Sequence, residues 1–108
     1  MPELPEVETT RRGLSPLAEG RVIHRVVVRQ PQLRWRVSPE VQTLQNTTLH
    51  ALRRRGKWLI WDLDQGHLLW HLGMSGSFRA WLEPPTPQKH DHVDVEIVGG
   101  HTIRFTDP

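Results

Sequence analysis

The sequence contains no cysteine, which excludes disulfide bonds and thiolate metal ligands within these 108 residues. No apolar run approaches the roughly 20 residues of a membrane-spanning helix. The N-terminus has no basic segment followed by an apolar stretch, so we find no secretory signal and expect a cytoplasmic protein. The tightest histidine group, His90 and His92 around Asp91, has no clear third ligand. We therefore expect neither a metal ion nor a cofactor in this chain.

The composition is typical of one globular domain, residues 1–108, with 36% hydrophobic and 24% charged residues. The net charge is only +2, but just two of the 14 basic residues are lysines, Lys57 and Lys89. The guanidinium group of arginine offers a planar fork of donors that suits phosphate oxygens. The densest basic run, residues 53–57, is compatible with a polyanion partner and equally with a solvated strand edge.

The first segment is predicted to be a helix that stops at Gly20. Prolines are tolerated in a first helical turn, and the helix dipole favours the acidic residues that crowd this start. The apolar residues compatible with one buried stripe are Leu4, Val7, Leu14 and Leu17.

The rest of the chain has the pattern of strands. Strands are predicted at residues 21–29, 33–37, 47–54, 57–63, 67–72, 77–82, 93–98 and 101–105. A short helix is predicted over residues 38–44, hairpin turns at residues 64–66 and at the two residues Gly99-Gly100, and a proline-rich loop over residues 83–89. The predicted fold is mainly β with helices (α+β), a β-sandwich with the N-terminal helix packed on it. Because the chain stops directly after a strand, we expect this domain to be incomplete at its C-terminal end.

The N-terminal residues could carry out chemistry. Removal of Met1 would leave Pro2 with a free secondary amine, which titrates near neutrality and is then partly nucleophilic. Attack by this amine on an aldehyde-like carbon gives an iminium, and the carboxylates of Glu3 and Glu6 are near enough in sequence to move protons. On chemistry alone, an ordinary acid-rich helix start is the more common explanation.

The opening residues, Pro-Glu-Leu-Pro-Glu-Val-Glu-Thr, resemble the N-terminal signature of the formamidopyrimidine-DNA glycosylases, the bacterial 8-oxoguanine glycosylase family. Four further blocks are similar to the family and follow in its order: Arg53-Arg54-Arg55-Gly56-Lys57, His71-Leu72-Gly73-Met74-Ser75-Gly76, Lys89-His90-Asp91-His92-Val93 and Thr106-Asp107-Pro108. The resemblance covers all 108 residues. The related endonuclease VIII group usually opens Pro-Glu-Gly-Pro-Glu, so Leu4 favours the branch that acts on purine lesions.

The resemblance implies roles for individual residues. Pro2 would attack C1′ of the damaged nucleotide, expel the base and form a Schiff base, while Glu3 protonates the opening sugar. Glu6 would be a supporting carboxylate near the lesion. The Schiff base would then permit β-elimination and δ-elimination, which remove both flanking phosphates. Lys57 would contact the DNA near the scissile sugar and donate a proton in β-elimination.

Three further residues would contact DNA if the resemblance holds. His71 would contact a phosphate, although a lone histidine after an apolar run is more often structural. Met74 lies between glycines, and its unbranched side chain would fill the space left by a flipped base. His90 matches a DNA-contacting position of the family, whereas His92 is less certain and is compatible with a structural role.

Family members are more than twice as long as this chain, and their helix-two-turn-helix domain and C-terminal zinc finger have no counterpart here. The resemblance therefore places zinc outside these residues, and we expect the piece alone to have little glycosylase activity. The expected partner is double-stranded DNA with an oxidised purine or an abasic site, bound by a monomer. Two alternatives remain: a non-catalytic nucleic-acid-binding β-sandwich module, and an endonuclease VIII-like glycosylase for oxidised pyrimidines.

Overall fold

One helix and seven strands make up the part of the chain that the structure, a computed structural model, describes, namely residues 4–29, 44–72 and 76–108. In chain order they are α1 (Leu4–Ala18), β1 (Arg21–Val28), β2 (Thr48–Arg55), β3 (Trp58–Leu63), β4 (His67–His71), β5 (Ser77–Trp81), β6 (Asp91–Ile97) and β7 (Thr102–Thr106). The strands form one sheet in the order β4-β3-β2-β1-β6-β7-β5, and each neighbouring pair is antiparallel.

The sheet bends over so that its two ends face each other. The ring of Trp61 in β3 lies 5.8 Å from that of Phe78 in β5, and Trp70 in β4 lies 5.4 Å from Phe105 in β7. These strands are far apart in the strand order, so their rings meet only because the sheet folds into two layers, β2-β3-β4 and β6-β7-β5. One apolar core contains residues of both layers and of α1. The predicted β-sandwich with an N-terminal helix is confirmed.

The helix α1 covers a part of β2 that β1 leaves unpaired. Among the described residues, β1 and β2 pair only through the first two residues of each strand. Further along β2, the N–H group of Leu52 donates to the Glu19 carboxylate at 2.8 Å, and the Leu52 carbonyl accepts from Arg11 at 3.5 Å. An exposed strand edge with unsatisfied backbone groups is unfavourable, so these side chains close it. The helix ends before Gly20, whose φ of 79° suits glycine, as predicted.

The proline-rich loop is a crossover between parallel strands. β5 and β6 each run antiparallel to β7, which lies between them, so the link must return across β7. None of residues 82–90 belongs to a strand, which confirms the predicted loop. The carbonyl of Pro85 accepts a hydrogen bond from Nη1 of Arg104 in β7 at 3.0 Å, so the loop crosses the outer face of this strand.

A buried ion pair lies on that outer face. The side chains of Arg104 and Asp94 are 2% and 5% exposed, and they are joined by hydrogen bonds of 2.8 and 3.1 Å. Arg29 donates to the same carboxylate at 2.6 Å. Burial alone would raise the pKa of Asp94, but the hydrogen bonds from Arg104 and Arg29 outweigh it and lower this pKa.

The β6–β7 hairpin corrects one predicted turn. A two-residue turn at Gly99-Gly100 would place Asp94 opposite Phe105. The structure instead pairs Asp94 with Arg104, because three residues separate the facing positions Ile97 and His101, which are hydrogen bonded at 3.0 Å. A shift of one residue moves every side chain to the other face, and the observed register keeps charged residues together outside the core.

The other predicted elements agree with the structure to within two residues at each end. The hairpin at residues 64–66 is confirmed by the bond from the Leu63 N–H to the Gly66 carbonyl, 3.1 Å. The predicted strand at residues 33–37 and most of the predicted helix at residues 38–44 lie outside the described residues.

Candidate active site

A tight turn places Lys57 at one end of the first layer. Arg55 pairs with Trp58, so the turn contains only Gly56 and Lys57, and Gly56 has the positive φ, 58°, that two-residue turns favour in glycine. The prediction that Lys57 opens the strand is wrong, because this turn holds it outside the ladder. Its side chain is half-buried. His71 ends β4 at the same end, opposite Trp58.

The second layer brings His90 to the same end of the sheet. Thr106, at the end of β7, pairs with both Ser77 and Asp91, the first residues of β5 and β6. His90 directly precedes β6 and therefore lies there too. The two layers are joined at this end, because the Gly76 N–H donates to the Leu72 carbonyl at 2.7 Å and so links the exit of β4 to the entry of β5.

The N-terminus of α1 points towards this end as well. Glu8 contacts Arg54 near the end of β2, whereas Glu19, at the other end of the helix, contacts Leu52 further back along the strand. With a rise of about 1.5 Å per residue, Leu4 lies roughly 6 Å beyond Glu8 along the helix axis. The helix start, the Gly56–Lys57 turn, the end of β4 and the start of β6 thus meet at one end of the molecule, which we call the site end.

The described candidate residues differ in their surroundings. Glu6 is exposed in the first turn of α1. His71 is half-buried, and its ring lies edge-on to Trp58 at 4.8 Å. His90 is exposed, with its ring 6.3 Å from that of His92. The remaining candidates lie outside the described residues; they are Pro2, Glu3 and Met74.

His92 has a structural environment. Its side chain is buried, and its Nε2 lies 2.6 Å from the Asp107 carbonyl, which can only accept, so the ring donates. The Asp107 N–H donates in turn to the His90 carbonyl at 3.1 Å. These bonds fasten the segment that carries His90 to the end of β7.

The basic run is partly neutralised by carboxylates. Arg53 donates two hydrogen bonds to Asp62, 2.6 and 2.8 Å, and with a smaller contribution from His67 they lower the pKa of Asp62 to about 2. Arg54 pairs with Glu8 on the other face of β2. The exposed Arg55 stands beside the site end. Arg53 therefore fits the interpretation of a solvated strand edge, whereas the position of Arg55 is compatible with contact to a polyanion.

Glu8 was not identified from the sequence as a residue that forms ion pairs with arginines of both α1 and β2. Its carboxylate accepts hydrogen bonds from Arg11, Arg54 and Arg12, which together lower its pKa to about 2. Arg11 and Arg12 follow Glu8 by three and four residues, a spacing that predicts ion pairs on one helix face. The contact with Arg54 had no such signal, because it depends on how α1 docks on β2.

The described residues contain neither a cluster of metal ligands nor a helix that could cross a membrane. No group of three or more histidine, cysteine, aspartate or glutamate residues is arranged to hold a metal ion. Within the same ranges, no helix has the length and apolar character needed to cross a membrane.

Known proteins resemble the chain along its whole length. The family model for the formamidopyrimidine-DNA glycosylase N-terminal domain matches residues 1–108. The formamidopyrimidine-DNA glycosylases of Pasteurella multocida and Thiobacillus denitrificans are 49% and 54% identical to it, over 100% of this chain and 40% of theirs. The chain thus spans about 40% of the length of these curated relatives.

The fold comparison agrees. A crystal structure of the Lactococcus lactis formamidopyrimidine-DNA glycosylase, bound non-covalently to DNA with an abasic site, superimposes with a TM-score of 0.86 and 30% identity, over 98% of this chain and 41% of that one. A MutM structure in complex with DNA that contains carbocyclic 8-oxoguanine has a TM-score of 0.85. The chain therefore belongs to the formamidopyrimidine-DNA glycosylase N-terminal domain family.

Proposed function

We propose that this chain is the nucleophile-bearing N-terminal domain of a bifunctional DNA glycosylase and abasic-site lyase that excises oxidised purines in base-excision repair. The observation that carries the proposal is the site end, where the helix start meets Lys57, His71 and His90 in a fold whose solved relatives bind damaged or abasic DNA. Because the chain spans about 40% of its relatives, we further propose that residues 1–108 act together with additional domains.

The proposed reaction begins with the Pro2 amine once Met1 has been removed. The nitrogen forms a bond to C1′, the glycosidic bond breaks, and the base leaves with its bonding electrons. Glu3 protonates the ring oxygen as the sugar opens, which leaves an iminium between Pro2 and C1′. The iminium withdraws electrons, so water takes the C2′ proton, the electrons of that C–H bond form a C2′–C3′ double bond, and the 3′ phosphate leaves with the electrons of its bond to C3′. A second elimination breaks the bond to the 5′ phosphate.

The other residues hold the DNA or move protons in this proposal. Lys57 donates a proton during β-elimination, and Glu6 supports the lesion pocket. His71 contacts a phosphate, His90 contacts the DNA, and Met74 fills the space left by the extruded base. We propose double-stranded DNA with an oxidised purine or an abasic site as the partner, a monomer as the working form and the cytoplasm as its location. The step at Pro2 needs only an amine and proton donors.

Borohydride trapping tests the proposal directly. The natural protein that carries these residues is mixed with an abasic-site duplex, and its intact mass is measured before and after reduction. We expect a mass without Met1 and a covalent adduct that maps to Pro2. Pro2→Gly should reduce trapping, because it replaces the secondary amine, while non-covalent binding of the duplex stays the same. A processed natural protein that forms no adduct would refute the enzyme and favour the binding module.

Lesion choice is tested separately in the same protein. Duplexes with 8-oxoguanine and with thymine glycol compete for excision, and we expect 8-oxoguanine to be preferred. A preference for thymine glycol would support the endonuclease VIII-like alternative and leave the Pro2 chemistry intact.

A further inference from the structure

Arg54 bridges two parts of the site end. It lies on the face of β2 that is covered by α1, because its strand partner is the buried core residue Leu59. Its Nε donates to Oε1 of Glu8 at 3.1 Å, and its Nη1 donates to the carbonyl of Gly56, also at 3.1 Å. One side chain thus contacts both α1 and the peptide group that joins Gly56 to Lys57.

The carboxylate end of this bridge is held firmly. Each oxygen of Glu8 accepts a bond of 2.9 Å or less from Arg11, and Oε2 also accepts from Arg12 at 2.9 Å. Arg11 is in turn directed to the Leu52 carbonyl of β2. The side chain of Glu8 is 24% exposed and that of Arg54 is 32% exposed, so the link is partly shielded from water.

The shape of the guanidinium group explains why an arginine occupies this position. A planar fork can direct two N–H groups at two acceptors in fixed directions, whereas a lysine offers one nitrogen on a flexible stem. The neighbouring Arg53 has no access to this bridge, because it points to the opposite face of β2 and is paired with Asp62.

We propose that Arg54 is a positioning residue that fixes the Gly56–Lys57 turn relative to the N-terminal end of α1. This inference rests on the proposed function, in which Lys57 acts on the sugar that is attached to Pro2, two residues before α1. A displacement of about 1 Å can reduce a rate roughly 100-fold when reacting groups must be aligned. In this proposal Arg54 acts through Lys57.

The test compares Arg54→Gln with Arg12→Gln in the natural protein. Both substitutions remove one positive charge and one hydrogen bond to Glu8, but Arg12 is 74% exposed and makes none of the contacts that join α1 to the turn. We expect Arg54→Gln to slow strand cleavage at saturating abasic-site DNA about tenfold or more, with less than a threefold change in KM. Arg12→Gln should remain within about twofold of wild type.

Two further readouts separate positioning from a loss of stability. Because Lys57 is assigned to elimination, which follows Schiff-base formation, Arg54→Gln should still form the borohydride-trapped adduct. A larger fraction of that adduct should carry a DNA strand that has not yet been cut. Arg54→Lys keeps the charge but replaces the rigid fork with one nitrogen on a flexible stem, which does not fix the two acceptors relative to each other, so we expect it to cleave nearly as slowly as Arg54→Gln. Thermal melting of each variant shows whether the fold is retained.

Several results would overturn the inference while leaving the proposed function standing. They are wild-type cleavage by Arg54→Gln, equal slowing by Arg12→Gln, full rescue by Arg54→Lys, and a parallel fall in trapping and cleavage. A wild-type protein that forms no adduct would instead refute the proposed function, and the inference with it.

Discussion

Removal of the Arg104 side chain should destabilise the fold severely. The guanidinium is 2% exposed, donates two hydrogen bonds to Asp94 and one to the Pro85 carbonyl, and lies 5.2 Å from the centre of the Trp81 ring. In Arg104→Met the methionine fills much of the volume, but the Asp94 carboxylate loses two donors and the Pro85 carbonyl loses its bond.

The expected loss of unfolding free energy depends on Asp94, which stays buried, and on Arg29, which still pairs with it. Loss of one member of a buried ion pair costs about 3–5 kcal/mol, because the other charge stays buried. Arg29 still donates to Asp94 at 2.6 Å, so we expect the lower end, about 3 kcal/mol. A domain of this size has a total stability of roughly 5–15 kcal/mol, so Arg104→Met removes a large part of it.

Urea unfolding followed by tryptophan fluorescence measures this effect. The informative comparison is the double variant Asp94→Leu/Arg104→Met, which removes both charges, since buried pairs can be replaced by apolar residues with little or no loss. We expect it to be at least about 1.4 kcal/mol more stable than Arg104→Met alone, a tenfold difference in the unfolding equilibrium. A loss below 1 kcal/mol in the single variant, or a double variant equal to the sum of the singles, would refute the reasoning.

Two other predictions concern the helix and the link between the layers. The pKa of Glu8 is about 2 instead of 4.5, so its contribution to stability is complete above pH 4.5 and is lost as the pH falls towards 2. Glu8→Gln should therefore be less stable than wild type at neutral pH and should lose less stability as the pH falls. Acid titrations followed by circular dichroism measure both effects. An unchanged acid transition would contradict this. Gly76→Ala should lower stability by about 1–3 kcal/mol in urea, because its Cβ would lie 2.4 Å from the Leu72 carbonyl oxygen, whereas Gly13→Ala, with no atom within 4 Å, should not. Equal stability of the two alanine variants would contradict the steric argument.

The fold could be predicted because its local signals agree with one another. Short runs rich in apolar and β-branched residues, bounded by turn residues, marked the described strands, and Gly20 marked the end of the helix. Leu59, Trp61 and Leu63, which occupy every second position of β3 and therefore share one face, are all in the core. These features depend on neighbours within a few residues, which is the range over which a single sequence is informative.

The exact turns were less predictable, because they depend on contacts across the sheet. Gly99-Gly100 suits a two-residue turn by itself, but that register would place Arg104 opposite the core residue Val95. The longer connection that forms instead pairs Arg104 with Asp94. Lys57 was likewise assigned to the strand because apolar residues follow it, although Gly56 before it is the residue that a two-residue turn requires.

The candidate site was found from the resemblance and from motifs, whereas its assembly depends on topology. Connections between successive antiparallel strands alternate between the two ends of a sheet. The β2–β3 turn and the β4–β5 link are two connections apart, so they lie at the same end. His90 requires something more, because β5 and β6 are parallel and the link between them must run back across β7. The buried Arg104 holds that crossover through the Pro85 carbonyl, and the segment then delivers His90 to the site end. Arg104 thus helps to place one of the DNA-contacting candidates, through the Pro85 carbonyl and through the Asp91 carboxylate 3.8 Å away, so Arg104→Met should weaken binding of abasic DNA as well as the fold.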